Sequence, residues 1–292
     1  MNVNDRSSSV LREHFEQHRT KLSRSELAVA EHLVKMPIDV LIFRSAEEIA
    51  TETGTSDATV IRTAKRLGFT GLPELKRVSG RVMARTISTS ERLEQRFRAT
   101  GDDLEKVATQ MFATAREVLT STEEQVDGAM LASAISLIEE ADTVWCIGMG
   151  TAEVEARHCS IALSRAGVRT RCSGASGFTL ANELIDLRPA DVIVMFHAVR
   201  ETAEFKLIVR QLQDIGCKVV LVCGVQLRAN YADKVSAILT CIGSPSRLAS
   251  WSIGAIVMAD LLAYGVAVRN QQQATDAKKR LADLRDQALG ND

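Results

Sequence analysis

The stretch from Ser45 to Gly68, SAEEIATETGTSDATVIRTAKRLG, predicts two short helices joined by a tight turn. Ser45 and Glu48 have capping-box spacing, in which a hydroxyl and a carboxylate satisfy free amides at the start of a helix. Gly54 allows the positive φ that a sharp reversal between two helices requires. Ser56 is suited to cap the second helix. The stretch is therefore typical of a helix-turn-helix unit.

The second predicted helix has an apolar face and a polar face. Val60, Ala64 and Leu67 recur at helical spacing and predict the face that packs inward. Hydroxyl and guanidinium groups on the opposite arc can reach phosphates and base edges in a DNA major groove. The residues predicted to contact DNA are Ser45, Thr55, Ser56, Thr59, Arg62, Thr63, Lys65 and Arg66. An ordinary amphipathic helix with a solvated polar face has the same pattern, so the helix alone leaves both interpretations open.

Neighbouring segments complete a small helical domain. Residues 22–36 predict a helix that starts at a second capping box, Ser23 and Glu26, and that ends before Pro37. Gly68 stands where a left-handed C-terminal cap belongs. The apolar residues expected to form the core of this domain beside the second helix are Leu27, Ala30, Val34, Phe69, Leu72 and Leu75.

Charge is distributed unevenly along the chain. Between Thr59 and Arg98 there are ten Lys or Arg residues and three Glu, a net charge of +7, whereas the whole chain carries a net charge of −1. A basic band at one end fits the neutralisation of DNA phosphates. A solvated linker helix would explain residues 77–98 equally well.

The segments LSRSELAVAEHLV, SAEEIA and TSDATVIRTAKRLGFTGLPELKR, in this order, resemble the N-terminal helix-turn-helix domain of the RpiR family of bacterial transcriptional regulators. The resemblance covers about residues 5–85. It implies sequence-specific DNA binding coupled to a C-terminal sugar isomerase (SIS) domain that senses a metabolite.

The C-terminal half alternates apolar runs with helix-length segments. The runs that predict strands are residues 143–150, 168–174, 191–197, 218–224 and 237–243. Such a pattern favours a doubly wound α/β fold with a parallel sheet of about five strands, in which ligands bind at the carboxyl ends of the strands. Residues 128–268 resemble the SIS domain in this layout, in agreement with the N-terminal resemblance.

The predicted effector site lies in the loops that follow two of these runs, residues 143–150 and 191–197. These runs correspond to the first two strand-and-loop segments of the SIS pattern. A glycine turn at Gly148 and Gly150 leads into a helix whose amides can hold an anion, although a tight turn without a ligand has the same sequence. Glu153 stands where a dinucleotide fingerprint would require a third glycine, which argues against NAD. The effector-binding residues that we predict are Gly148, Gly150, Thr151, His197, Arg200 and Thr202.

The second of these loops departs from the family pattern. The family typically has S-x-S-G-x-T, and this chain has His197-Ala198-Val199-Arg200-Glu201-Thr202. Arg200 can hold a carboxylate or phosphate through two hydrogen bonds, so the pocket is either adapted to another anion or vestigial. His197 is either a ligand group or a buried histidine with satisfied partners. A sugar phosphate or a sugar acid is the expected effector class.

With 292 residues, 46% of them hydrophobic, the chain is long enough for two buried cores. The predicted organisation is a DNA-binding domain at 1–85, a linker and connecting helix at 86–127, and an effector-binding and dimerisation domain at 128–292. The connecting helix, residues 104–119, has an apolar face formed by Leu104, Val107, Ala108 and Met111. Residues 248–268 are apolar around most of their helical circumference and predict either core or a subunit interface.

Other features narrow the class of protein. All six cysteines follow residue 140 without CxxC pairs, which indicates buried structural thiols and neither a zinc site nor a disulfide framework. No signal peptide and no membrane span of ~18 apolar residues is expected, which favours a soluble cytoplasmic protein. We expect no cofactor and no metal.

The sequence therefore predicts a regulator, not an enzyme. Its expected partners are double-stranded DNA with a palindromic operator, a small anionic effector, and a second copy of the chain in a homodimer or homotetramer, because one recognition helix covers only a few base pairs. The main alternative is an isomerase-type SIS enzyme with an added helical domain. An architectural DNA binder that senses no metabolite would leave the glycine turn unexplained.

Overall fold

In the computed structural model the chain separates into a helical N-terminal unit and an α/β C-terminal unit. The structure describes residues 3–80, 93–94, 97–98, 100–198, 201–244 and 250–290. Unit 1 comprises Met1–Glu123 and Ile242–Ser250, and unit 2 comprises Glu124–Cys241 and Trp251–Asp292. The domain boundaries predicted above stay a prediction, and much of the predicted linker lies outside the described residues.

Capped helices build unit 1. Its helices are α1 (Val3–His18), α2 (Arg24–Lys35), α3 (Ile38–Leu41), α4 (Ala46–Thr53), α5 (Asp57–Arg66), α6 (Leu72–Ser79) and α7 (Leu104–Glu123). Both predicted capping boxes are present, Ser23 with Glu26 at α2 and Ser45 with Glu48 at α4. Helix α2 ends at Lys35, Met36 lies between it and Pro37, and Met36 is extended, with a ψ of 131°.

The core of unit 1 lies between α1, α2, α4, α5 and α6. Phe69, Leu72 and Leu75 are buried in it, as predicted. The predicted stripe on α2 is wrong by about one residue, because Val29, Ala30 and Leu33 form the buried face while Leu27 and Val34 are only half-buried beside it. Helix α2 packs against α4 and α5, and the side that faces these helices is the buried side.

Helix α7 belongs to unit 1, and three of its five buried residues are polar. The predicted apolar face is wrong, since Leu104 and Met111 are exposed. The buried residues of α7 are Gln110, Ala113, Thr114, Val118 and Thr122. Gln110 donates a hydrogen bond to Glu48 Oε1 at 2.9 Å, which attaches α7 to the start of α4.

Unit 2 is a doubly wound sheet. Its elements are α8 (Gly128–Glu140), β1 (Val144–Gly148), α9 (Glu153–Arg165), β2 (Thr170–Ser173), α10 (Gly177–Leu184), β3 (Val192–His197), α11 (Ala203–Ile215), β4 (Lys218–Cys223), α12 (Val225–Tyr231), β5 (Ala237–Thr240), α13 (Ser252–Arg269) and α14 (Gln271–Leu289). The five strands run parallel in the order β2-β1-β3-β4-β5, which confirms the predicted fold class.

Helices cover both faces of this sheet. Residues of α9 and α13 pack with one set of strand side chains, and residues of α10 and α11 pack with the other set. Strands β1 and β3 pair Gly148 with Phe196, and β3 and β4 pair His197 with Cys223. The register therefore brings the loops after β1, β3 and β4 to one edge of the sheet.

Helix α13 is long and apolar enough to cross a membrane by length and composition, and it is the one helix among the described residues with these properties. Its buried residues belong largely to the core cluster of unit 2. The centre of the predicted apolar segment is therefore core, while Val257 and Tyr264 face outward.

All six cysteines are free, and five of them are buried. Burial raises the pKa of the Cys217 thiol to about 11 and that of Cys223 to about 12. These two thiols therefore remain protonated at neutral pH. The cysteines in the core clusters of unit 2 act as small apolar side chains.

Candidate functional site

The helix-turn-helix is formed by α4, Gly54 and α5. Gly54 has a φ of 64°, and a Cβ there would have no atom within 4 Å, so its conformation and not its surroundings requires glycine. Ser56 accepts a hydrogen bond from the Thr59 amide and caps α5. Val60, Ala64 and Leu67 are completely buried, as predicted. The apolar side of α5 is thereby fixed against the rest of unit 1.

Three cations stand on the solvent side of α5. Arg62, Lys65 and Arg66 are exposed, and the side chains of Arg62 and Arg66 are 56% and 60% accessible. They follow one another at helical spacing, so their charged ends lie on one side of the helix. Such a surface can contact phosphates and base edges.

The hydroxyl groups of α5 are placed differently from the prediction. Thr63 is completely buried, and its hydroxyl donates to the Thr59 carbonyl at 2.8 Å. Thr59 is 7% exposed and Ser45, the cap of α4, is 4% exposed. These three side chains are buried and form local hydrogen bonds inside the unit, and their contact with DNA stays a prediction.

The two remaining hydroxyl residues lie in the turn and at its end. Thr55 is half-buried, with its hydroxyl 2.9 Å from that of Thr53. Ser56 is exposed, and its hydroxyl lies 3.0 Å from that of Thr59. Contact of Thr55 and Ser56 with DNA stays a prediction.

The basic band is smaller at the surface than the sequence count indicates. Lys76 is 3% exposed, and its ammonium lies 3.1 Å from Glu117 Oε2 on α7. Residues 81–92, which carry three of the basic residues, lie outside the described residues. On α5 itself, the exposed cations are Arg62, Lys65 and Arg66.

The turn after β1 requires its glycines for different reasons. A Cβ on Gly148 would lie 2.0 Å from the Ala152 carbonyl oxygen, so the close approach of the backbone excludes any side chain. Gly150 has a φ of +62°, and a Cβ there would face open space. Thr151 is exposed. The turn is thus tight, and its outer side is open.

Helix starts at this edge differ in how their amides are satisfied. Thr202 accepts from the Phe205 amide at the start of α11, and Glu204 accepts from the Gly177 amide at the start of α10. Helix α9 begins after Ala152, which has no polar side chain to cap it. The turn before it satisfies the first amide of α9, since the Glu153 N–H donates to the Gly150 and Thr151 carbonyls. The helix dipole at this end favours an anion, whereas Glu153 and Glu155 in the first turn oppose one electrostatically.

The loop after β3 contributes His197 and a pair that the sequence did not reveal. His197 is 8% exposed and stacks on Phe205, with ring centroids 4.3 Å apart. Glu201 accepts a hydrogen bond from the Tyr231 hydroxyl and pairs with Lys206 at 3.0 Å. Arg200, a predicted effector residue, lies outside the described residues.

This hydrogen bond moves the pKa values of both partners. The Tyr231 hydroxyl and Lys206 lower the pKa of Glu201. Burial, together with the Glu201 carboxylate, raises the pKa of Tyr231 to about 12. Glu201 is therefore ionised and Tyr231 protonated at neutral pH, and the pair connects the β3 loop to α12. Only the folded arrangement could reveal this pair, since its members lie 30 residues apart.

Two carboxylates lie near the end of β2. Glu153 pairs with Arg157 at 3.0 Å and fills the space where a Cβ on Gly174 would stand. Glu183 has one buried oxygen without a hydrogen-bond partner. Burial raises the pKa of Cys172, and both carboxylates add to this effect, so they share one neighbourhood. Among the described residues, no group of three potential ligands could hold a metal ion.

Residues 10–81 match the model of the helix-turn-helix domain of the rpiR family. These residues form an RpiR-family helix-turn-helix domain. The RpiR-family domain is the part of the chain whose capped helices and exposed cations are described above.

Relatives extend the similarity beyond this domain. An uncharacterized HTH-type transcriptional regulator of Clostridium perfringens is 26% identical over 208 residues, which are 71% of this chain and 73% of the relative. The sugar isomerase domain of an RpiR transcription factor from Sphaerobacter thermophilus is 22% identical, with a TM-score of 0.56, over 60% of this chain and 98% of that one.

A solved structure covers nearly the whole chain. The Vibrio vulnificus NanR protein complexed with ManNAc-6P is 16% identical, with a TM-score of 0.54, over 94% of this chain and 97% of that one. At these identities the two solved structures support the fold alone. Unit 2 therefore has the fold of a sugar isomerase (SIS) domain.

Proposed function

We propose that the protein is a cytoplasmic, DNA-binding transcriptional regulator whose SIS-type unit binds a small anionic metabolite and thereby changes its affinity for an operator. The observation that carries this proposal is the trio Arg62, Lys65 and Arg66, exposed on a helix whose opposite face is completely buried. A rigid, positively charged helix of this kind is suited to a major groove. The match to the RpiR-family domain supports the same assignment.

Selection from a pool of random duplexes tests the DNA-binding part. The wild-type protein should enrich a palindromic sequence, and Arg62→Ala should lose most of its preference for that sequence over a scrambled duplex. Arg12→Ala is the matched control, because it removes the same charge from an exposed position on α1. Absence of enrichment by the wild-type protein would exclude sequence-specific binding.

The proposed effector is a sugar phosphate or a sugar acid. The residues proposed to bind it are those predicted from the sequence, Gly148, Gly150, Thr151, His197, Arg200 and Thr202. The open outer side of the β1 turn and the positive dipole end of α9 support an anion there. The relative in complex with ManNAc-6P has the same fold, and Arg200 enters the proposal on its charge alone.

Thermal-shift measurements against phosphorylated and carboxylated sugars test the effector. A binding compound should raise the Tm of the wild-type protein, because a ligand that binds only the folded state stabilises it. Arg200→Ala should reduce that rise, and Arg210→Ala, an exposed arginine on α11, should not. The same compound should change operator affinity. If no compound in the panel changes either quantity, the sensing part of the proposal is wrong.

The proposed assembly is a homodimer, alone or within a homotetramer. Two recognition helices about 34 Å apart would meet successive major-groove segments on one face of a duplex. A twofold-symmetric protein then requires a palindromic operator. Sedimentation of the protein with and without the selected duplex measures this directly.

An isomerase-type enzyme is the second candidate, because Glu183 keeps a buried carboxylate oxygen without a partner near Glu153. Isomerisation of a sugar requires a base close to a bound substrate. Turnover of phosphosugars by the purified protein, abolished in Glu183→Gln, would favour the enzyme. Tight binding of the same compounds without turnover would favour the regulator.

A further inference from the structure

A buried carboxylate lies beneath the cations of the recognition helix. Glu26, in the first turn of α2, is 5% exposed. Its Oε1 atom is 3.4 Å from Arg62 Nε and 3.9 Å from Arg66 Nε. One anion on α2 therefore faces two guanidinium groups on α5 that are one helical turn apart.

The contacts with Glu26 are made at the Nε atom of each guanidinium. A guanidinium has five N–H donors, and Glu26 meets both arginines at Nε. Arg62 also donates one Nη2 hydrogen to the Thr59 hydroxyl at 3.2 Å. A guanidinium held at Nε keeps its terminal edge, between the two Nη atoms, for another partner. A bidentate contact with guanine or with a phosphate uses this terminal edge.

The same carboxylate has a separate structural role through its other oxygen. Glu26 Oε2 accepts from the Ser23 amide at 2.8 Å, and the Glu26 amide donates to Ser23 Oγ at 3.4 Å. The hydrogen bond from the Ser23 amide lowers the pKa of Glu26, and the charges of Arg66 and Arg62 add to this effect. The carboxylate is thus ionised at neutral pH and held in place by the capping box.

We propose that Glu26 is a positioning residue for DNA recognition, which fixes the orientation of Arg62 and Arg66 so that their terminal edges face the base pairs. This inference rests on the function proposed above. A long arginine side chain loses rotamer freedom when it binds, and a preformed contact reduces that loss. Because Glu26 is itself negative, it weakens the general attraction to phosphates, so it favours sequence discrimination over total affinity.

These two effects have opposite signs, which makes the inference testable. Glu26→Gln keeps the length of the side chain and its capping oxygen, since glutamine also completes a capping box. It removes the charge that holds the two guanidinium groups. Binding to a scrambled duplex should stay equal or become tighter, while the preference for the duplex selected by the wild-type protein should fall by about fivefold or more, the lower end of what one bidentate base contact contributes.

Two variants serve as matched controls, with full-length protein and both duplexes. Glu31→Gln removes the same charge from the same helix, where Glu31 pairs with Arg19 at 3.9 Å, and should leave the preference unchanged. Ser23→Ala removes the other half of the capping box and should lower the Tm without lowering the preference.

Each result decides the inference. A lower preference with undiminished scrambled-duplex binding in Glu26→Gln alone supports positioning by Glu26. A preference equal to that of the wild-type protein overturns it, while the proposed function stands. A loss of binding to both duplexes that Ser23→Ala shares shows a capping role only and also overturns it. If the wild-type protein has no preference at all, the proposed function fails and the inference fails with it.

Discussion

At the scale of single residues, α5 shows that a polar residue need not lie at the surface. Thr63 stands three residues after Val60 and four before Leu67, so a rotation of about 100° per residue places it about 60° from Val60 and about 40° from Leu67, on the flank of the buried face. Arg62 and Arg66 lie farther around the helix and reach solvent. A threonine tolerates this burial because its hydroxyl can bond to the carbonyl one turn earlier. Polarity alone therefore does not show which residues of α5 reach the surface.

The inward orientation of Thr63 leads to a prediction for Thr63→Val. Valine has nearly the same shape and loses only the 2.8 Å hydrogen bond to the Thr59 carbonyl. The free energy of unfolding should change by no more than about 1 kcal/mol, and affinity for the selected operator should stay that of the wild-type protein. Urea denaturation and fluorescence anisotropy measure the two quantities. Lys65→Ala is the contrasting variant and should weaken binding to every duplex. A loss of operator affinity in Thr63→Val would place its side chain on the DNA side.

At the scale of helices and strands, local sequence signals predicted most of the fold. The two capping boxes, the left-handed Gly54 and the five apolar strand runs all depend on residues close together in the chain, and the structure confirms them. Continuous apolar runs identify buried parallel strands because both faces of such a sheet are covered. These signals need no knowledge of tertiary contacts.

Helix α7 shows why the remaining elements were harder to predict. Its apolar spacing suggested that Leu104 and Met111 are buried, yet they are exposed. The helix instead turns Gln110 inward because Glu48, 62 residues earlier, accepts its hydrogen bond. Hydrophobic periodicity takes no account of a hydrogen-bond partner so distant in the sequence, so tertiary contacts decide which face is buried.

The ion pair between α6 and α7 leads to a prediction for Lys76→Met. Lys76 and Glu117 are both almost completely buried, and Glu117 also accepts a hydrogen bond from the Ala46 amide at the start of α4. Removal of the ammonium leaves a buried carboxylate without its counter-charge, which should lower the free energy of unfolding of this unit by about 3 kcal/mol. Chemical denaturation followed by circular dichroism measures the loss.

A matched control for this variant lies on α7, next to Glu117 in the sequence. Arg116→Met removes a cation whose ion pair with Glu47 is largely exposed, at 3.4 Å, and should change the free energy of unfolding by less than about 0.5 kcal/mol. Equal effects of the two variants would show that burial of the Lys76 pair contributes nothing.

At the scale of the whole molecule, the sequence predicted which loops meet at one edge of the sheet but not the contacts made there. The rule for parallel sheets placed the glycine turn and His197 at the carboxyl ends of the strands, where they lie. Binding of an effector at this edge stays a prediction. The contacts of Glu201 with Tyr231 and of Glu204 with the Gly177 amide were not predictable, because each joins two different loops or helices. Such contacts depend on how the elements pack.

In the proposed homodimer, each residue that contacts a phosphate contributes twice to the salt dependence of DNA binding. Each phosphate contact contributes about −0.9 to the slope of log K against log salt concentration. Since a symmetric dimer on a palindrome places Lys65 at two phosphates, Lys65→Ala should make the slope shallower by about 1.8, against about 0.9 for a monomer. Anisotropy titrations on the selected operator at several salt concentrations measure the slope, and Lys106→Ala, an exposed lysine on α7, should leave it unchanged. A change near the monomer value would contradict a dimeric complex, and no change at all would remove Lys65 from the DNA contact.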